Sequence, residues 1–150
     1  MLFYLLDRIG YNGPIIMGFM NIFSMWKQPR FLSLYLLFYF IDLYINKWIK
    51  ILIKEPRPTG YNRANDGGKY IDEHIYGMPS SHSETVFYSL VYLWLVIESK
   101  IMFIIGLFIC LLTVYQRWKY KKHSIKQLIS GAFVGTIMAH IVYYICKNMY

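Results

Sequence analysis

Two stretches, Ile101–Gln116 and Gln127–Cys146, contain no Lys, Arg, Asp or Glu, and they constrain this chain more than any other feature. A run of about 20 apolar residues satisfies its own backbone hydrogen bonds as a helix inside a bilayer, where water cannot do so. Phe31–Ile53 is long enough too, although Asp42, Lys47 and Lys50 interrupt it. With 57% hydrophobic and 19% aromatic residues over 150 positions, the chain is more apolar than an ordinary soluble domain. The expected fold class is therefore all-α: one polytopic transmembrane helical bundle, a single domain over residues 1–150.

Spans are predicted at Asn12–Trp26, Phe31–Ile53, Ser80–Ile97, Ile101–Gln116 and His123–Cys146, about five in all, with Met1–Gly10 as an interfacial lead-in. Turn signals separate them: Lys27-Gln28-Pro29-Arg30, the Gly/Asn/Asp-rich Pro56–Gly77, Glu98-Ser99-Lys100 and the basic Trp118–Lys122. Counting crossings puts the end of the second span, the start of the third and the fourth-to-fifth connection at one membrane face. Lys27, Arg30 and Lys100 fall at the other. Most of the positive charge lies on the first face, which the positive-inside rule assigns to the cytoplasm. Charges that bind a ligand carry no such information, so the orientation stays open.

The formal charge of +8 does not read as a nucleic-acid surface, because Lys and Arg cluster between apolar segments and not along a polar face. Anionic headgroups or a phosphate ligand fit it better. Cys110 and Cys146 fall inside predicted spans and read as packing residues. Asp7 and Arg8 within the first apolar stretch, with no small-residue cleavage site after it, argue against a removable signal peptide. The C-terminal Lys147-Asn148-Met149-Tyr150 matches no retention or lipidation signal.

Three groups at the shared face carry chemistry. Lys50 stands about two turns before Arg57, in a segment that Pro56 and Pro58 force out of helix, so both cations reach past the helix end. Arg57 offers a planar fork for two phosphate oxygens, and Lys50 a point charge. Pro79-Ser80-Ser81-His82 reads as a helix start whose N–H groups and dipole suit an anion, with Ser80 or Ser81 adding a hydroxyl. Taken alone it reads first as a plain N-cap with Glu84 in a capping-box-like place, ahead of an anion site. Arg117 and His123, six apart, would face different ways on one helix, so a loop is expected between them and a new helix near His123. Gln127 shares a face with His123, and its carboxamide oxygen can accept from one ring nitrogen and turn the other towards a phosphorus atom.

In these residues the chain resembles the type 2 phosphatidic acid phosphatase superfamily, whose pattern is K-x6-R-P, then P-S-G-H, then S-R-x5-H-x3-D. The spacings Lys50-x6-Arg57-Pro58 and Arg117-x5-His123 match without gaps. Ser81 stands where the pattern has glycine, Gln116 where it has serine and Gln127 where it has aspartate. P-S-S-H and a glutamine at the last position are typical of the dolichyl diphosphate phosphatase branch, to which Ile53–Pro58 and Gly77–Ser83 are also similar, although Glu84 stands where that branch has glutamine. The resemblance implies hydrolysis of the terminal phosphate of dolichyl or another polyprenyl diphosphate, with neither metal nor other cofactor, in an endoplasmic reticulum membrane. It implies His123 as nucleophile, His82 as acid and then base, Gln127 beside the nucleophile, and Lys50, Arg57, Ser80, Ser81 and Arg117 on the phosphoryl oxygens. The implied partners are that lipid and the bilayer, with no nucleic acid.

Other polar residues read as structural. Asp42, at membrane depth, is expected to pair with Lys47 or Asn46 or to line a wet cavity, and His140 lies four to five turns from His123. Gly131, Gly135 and Ala139 recur every four residues and should form a close packing stripe. The tyrosines and Trp26, Trp48, Trp94 and Trp118 suit interfacial belts. His74 with Asp72 and Glu73 is too loosely spaced to read as a metal site.

Overall fold

Each predicted apolar segment is a helix in the computed structural model, which describes residues 1–60 and 76–149. The elements are α1 (Leu2–Tyr11), α2 (Gly13–Ser24), α3 (Pro29–Ile53), α4 (Ser81–Ile97), α5 (Lys100–Lys119) and α6 (Ile125–Asn148). Local chemistry sets their ends. Pro29 opens α3, where a missing N–H costs nothing, and Lys54 closes it in the left-handed region at φ 54°. Ser99 caps α5, and Ser124 with Gln127 forms a capping box at the start of α6.

The first expected span changes most. Asn12 N–H still bonds Arg8 O and Ile16 N–H bonds Asn12 O, both at 3.0 Å, so α1 and α2 continue one another through a break at Asn12. Gly10 abuts Leu112, Gly13 abuts Thr113, and Met17 and Met20 lie beside Gly106, so the pair runs antiparallel along α5. Twelve residues of α2 would cover only about 18 Å, whereas the broken pair covers a bilayer core of about 30 Å. Met1–Gly10 is thus not a separate interfacial lead-in. Helices α5 and α6 are each long and apolar enough to cross a membrane, and Ile104, Phe108, Ile129, Phe133 and Tyr144 point outward from them.

Helix α4 occupies the centre, with α2, α3, α5 and α6 around it. Its contact with α6 is set by small residues: a Cβ on Gly131 would run into the Ser80 carbonyl and one on Gly135 into the Glu84 carbonyl, while Ala139 is wholly buried. Gly106 differs, since its Cβ would meet only the flexible ends of Leu90 at 2.8 Å and of Met17 and Met20 at 3.2 Å. Gly135→Ala is expected to cost about 1–3 kcal/mol, because backbone cannot step aside, and Gly106→Ala well under that. Denaturation of the two variants in the same detergent measures the difference.

The tyrosine belt is only partly where expected. Tyr35, Tyr88 and Tyr92 are fully buried and stack with ring centroids 5.4–5.9 Å apart. Each hydroxyl finds a partner: Tyr88 donates to Tyr35 O at 3.1 Å, Tyr92 to Phe31 O at 3.0 Å, and Tyr35 shares a 2.7 Å bond with Ser89. A satisfied phenol can be buried at little cost, which is why core positions tolerate it. The four tryptophans remain partly exposed.

Candidate active site

At one end of the bundle the last turns of α3 and α5, the first turn of α4 and the α5–α6 connection converge. Past α3, the Pro56–Tyr76 bridge and the Gly77 N–H bond to Glu55 O at 2.8 Å hold the chain around Arg57 against Tyr76–Gly77. From there Arg57 donates to Lys122 O at 2.8 Å and to His123 Nε2 at 3.3 Å. Lys50, one turn before the end of α3, donates to Ser81 Oγ at 3.2 Å. Arg117, in the last turn of α5, donates to His82 Nε2 and lies 5.1 Å over the Tyr11 ring. The two histidines and the three motif cations therefore share one pocket-sized region, although the sequence spreads them over more than seventy residues.

The hydrogen bonds assign both imidazole faces. A guanidinium only donates and a carbonyl only accepts. His123 Nε2 consequently carries a lone pair towards Arg57, while Nδ1–H donates to Gly77 O at 2.9 Å. His82 Nε2 carries its lone pair towards Arg117. The His123 imidazole is held neutral: burial pushes its pKa well below the ordinary value, and the nearby Arg57 and Lys50 charges push the same way, against a smaller upward pull from the Gly77 carbonyl. A depressed histidine pKa means protonation only at strongly acid pH. In protein labelled at its histidines, the His123 resonances should therefore not titrate between about pH 8 and pH 6, where an exposed imidazole would move through its midpoint near 6.5.

Two expected side-chain roles are corrected. Gln127 does not bond His123; the Gly77 carbonyl takes that place. The Gln127 carboxamide instead ties the loop together: Nε2 donates to Glu55 Oε1 at 3.1 Å and Pro56 O at 2.8 Å, and Oε1 accepts from Ser124 N–H at 3.2 Å. The reason is local, since Gln127 is the N3 partner of the capping box and its amide is drawn back to the helix end. Ser80 is likewise turned inward. Its hydroxyl is the N-cap acceptor for Ser83 N–H and its own N–H bonds Gln127 O at 3.0 Å, so it shapes the turn and does not face the cations. With Ser83 and Glu84 N–H groups bonded to Ser80, the Ser81 and His82 N–H groups are those left at the mouth of α4.

Sequence reasoning missed three contributors. The Gly77 carbonyl is backbone and leaves no trace in residue type. Gly77 itself is informative in retrospect, because any Cβ there would overlap the Gln127 carboxamide. Glu55 anchors both Gln127 and Lys126, the latter at 3.2 Å, and buried Lys122 supplies the carbonyl that Arg57 grips. His140 bonds Thr136 O on its own helix, away from this cluster. His74, Asp72 and Glu73 lie outside the described residues, among which no three His, Cys, Asp or Glu side chains come together as a metal site would require.

Three cations, two neutral histidines and a helix N-terminus at one end of the bundle suit a multiply charged anion, and the His123 Nε2 lone pair lies beside Arg57. The sequence pattern of the PAP2 superfamily matches residues 31–149, which includes every one of these groups except Tyr11. The chain belongs to the PAP2 superfamily. Among curated proteins this PAP2 chain is similar to Dolichyldiphosphatase 1 of Dictyostelium discoideum, at 29% identity over 147 residues, covering 91% of this chain and 61% of that protein. It therefore spans less than two thirds of that relative's length. No solved structure matches this PAP2 chain.

Proposed function

We propose that this protein hydrolyses the terminal phosphate of a polyprenyl diphosphate, dolichyl diphosphate being the leading candidate, to give the lipid monophosphate and inorganic phosphate. The observation that carries the reading is the neutral His123, with Nδ1–H fixed on Gly77 O and the Nε2 lone pair beside Arg57. In the first step Nε2 attacks the terminal phosphorus, an N–P bond forms, and the bridging P–O bond breaks towards the lipid phosphate. Lys50, Arg57, Arg117 and the Ser81 and His82 N–H groups stabilise the phosphoryl oxygens as charge shifts. In the second step water attacks the phosphohistidine, its proton passes to His82 Nε2, and the N–P bond breaks. Both steps use this chain's own side chains and backbone N–H groups.

The state of His82 favours a diphosphate over phosphatidate. Its Nε2 accepts from Arg117 and so stands ready as a base for the water step, not as an acid for the first step. A departing lipid phosphate, with a second ionisation near about 6, leaves at neutral pH with little help, whereas phosphatidate must expel an alkoxide that needs a proton. With polyprenyl diphosphate, His82→Ala is accordingly expected to give a burst of about one lipid phosphate per protein and then turnover slowed about 100-fold.

The lipid tail would lie against the outward apolar faces, in a multi-pass protein of five spans counting α1–α2 as one; the dolichyl reading points to the endoplasmic reticulum membrane. The deciding assay is phosphate release by purified protein in detergent with EDTA, from dolichyl diphosphate and from phosphatidate in parallel. Release from the first alone supports the proposal. Equal release from both would indicate a broad lipid phosphate phosphatase, and none from either would leave a lipid-phosphate-binding protein.

A further inference from the structure

Arg117 is held from a second side by a segment that the three motifs do not include. Helices α1 and α2 run along α5, and a glycine stands on each side of the Tyr11–Asn12 pair. A Cβ on Gly10 would overlap the Leu112 carbonyl, and one on Gly13 the Thr113 hydroxyl. Contact this close fixes the height of the helix pair against α5, and Asp7 adds an ion pair at 3.8 Å with Lys119, two residues after Arg117. Tyr11, the last residue of α1, is thereby set with its ring facing Arg117, whose guanidinium carbon lies 5.1 Å from the ring centroid. Arg117 is buried and also donates to His82 Nε2, whereas Tyr11 is half-exposed. A tyrosine at an interface needs no special reason, but one stacked on a cation of the site does.

We propose that Tyr11 is a positioning residue for Arg117: its ring face fixes the plane of the guanidinium, so that the N–H edge beside His82 is presented to the phosphoryl oxygens. The inference rests on Arg117 being a phosphate ligand, as the proposed mechanism has it. A guanidinium is drawn to the face of an aromatic ring by the ring quadrupole, and that contact accepts none of its five N–H donors, all of which lie in its plane. A carboxylate in the same place would accept two of those bonds and cancel charge that the phosphate needs. The ring therefore restrains the cation without competing with the anion. Restraint matters because Lys50, Arg57 and Arg117 meet at one end of the bundle, where like charges push one another away until the anion is bound. A cation already in place stabilises the transition state without reorganising at each turnover. Tyr11 also lies outside residues 31–149, over which the family pattern matches, so this contact is no part of the shared motifs.

The signature of positioning is that the ring matters only while Arg117 is present. In the purified whole chain, calorimetric binding of inorganic phosphate and kcat/KM with polyprenyl diphosphate are measured side by side. Tyr11→Leu removes the ring and should weaken both by about 5- to 30-fold, the range that cation–π contacts span from partly to fully desolvated. Tyr11→Phe keeps the ring face and should stay within about threefold of wild type in both. In an Arg117→Ala background Tyr11→Leu should lower kcat/KM no further, because its effect runs through the guanidinium. A purely structural loss would persist there. Three results would each overturn the positioning role: a further loss from Tyr11→Leu on top of Arg117→Ala, a Tyr11→Leu protein equal to wild type where Arg117→Ala is impaired, or a Tyr11→Phe protein as impaired as Tyr11→Leu. A wild type that binds no phosphate, or phosphate binding untouched by Arg117→Ala, would instead overturn the reading of Arg117 as a phosphate ligand, and the role of Tyr11 with it.

Discussion

Replacing His123 with alanine should lower phosphate release from a polyprenyl diphosphate by about 10⁴-fold or more while leaving the protein folded. Removing a nucleophile eliminates the covalent route altogether, and the cations that remain can only hold the anion for attack by water; losses of about 10⁴–10⁶ are usual when a nucleophile is deleted. Folding should survive because the imidazole sits in a connection, packed between Gly77 and Arg57, and not in the α4–α6 contact. Rapid-quench with terminally labelled substrate makes the test specific: wild type should yield acid-labile phosphate on protein, and His123→Ala none. A labelled intermediate that persists in the variant, or release reduced less than tenfold, would remove His123 from the nucleophile's role. The companion His82→Ala should do the opposite and accumulate label, since it is the second step that lacks its base.

Much of this arrangement is legible in residue order, and the exceptions have physical causes. The spacings of Lys50 to Arg57 and Arg117 to His123, with a count of crossings between them, suffice to bring the three clusters to one end, because a helix that enters a membrane must leave on the other side. The Gly131–Gly135–Ala139 stripe is equally readable, since absence of a side chain is itself visible in the sequence. By contrast, Gly77 O, the acceptor that fixes His123, belongs to the backbone. The burial of Tyr35, Tyr88 and Tyr92 depends on where their hydroxyls land on the facing helix, α3 or α4, which composition does not reveal. The continuity of α1 and α2 rests on two hydrogen bonds across Asn12, a residue that reads as a cap or breaker. Asp42 and Asn46 were readable as polar residues at depth, but Asn46 bonds Glu84 on another helix, a pairing no spacing rule would select.

Gln127→Asp is the substitution on which the family pattern and this structure give opposite answers. The pattern places aspartate there, and if the side chain only oriented His123, a carboxylate would serve as well or better. Here the Gln127 carboxamide donates from Nε2 to the Glu55 carboxylate and to Pro56 O, and accepts from Ser124 N–H. Aspartate is one methylene shorter, has no N–H, and would set a second carboxylate against Glu55. It thus removes two donors, leaves the Pro56 carbonyl without its bond and introduces like-charge repulsion, together worth about 3–4 kcal/mol. Because Pro56 precedes Arg57, and Ser124 follows His123, the loss should appear as a fall in kcat/KM of about 10²–10³ along with lower thermal stability. Adding Glu55→Gln should restore part of both by removing the repulsion, but not all, since the Pro56 bond stays broken. Full activity of Gln127→Asp alone would show that the strap from α6 to the Arg57 segment is dispensable. Activity lost equally with and without Glu55→Gln would show that the carboxylate's charge is not what does the damage.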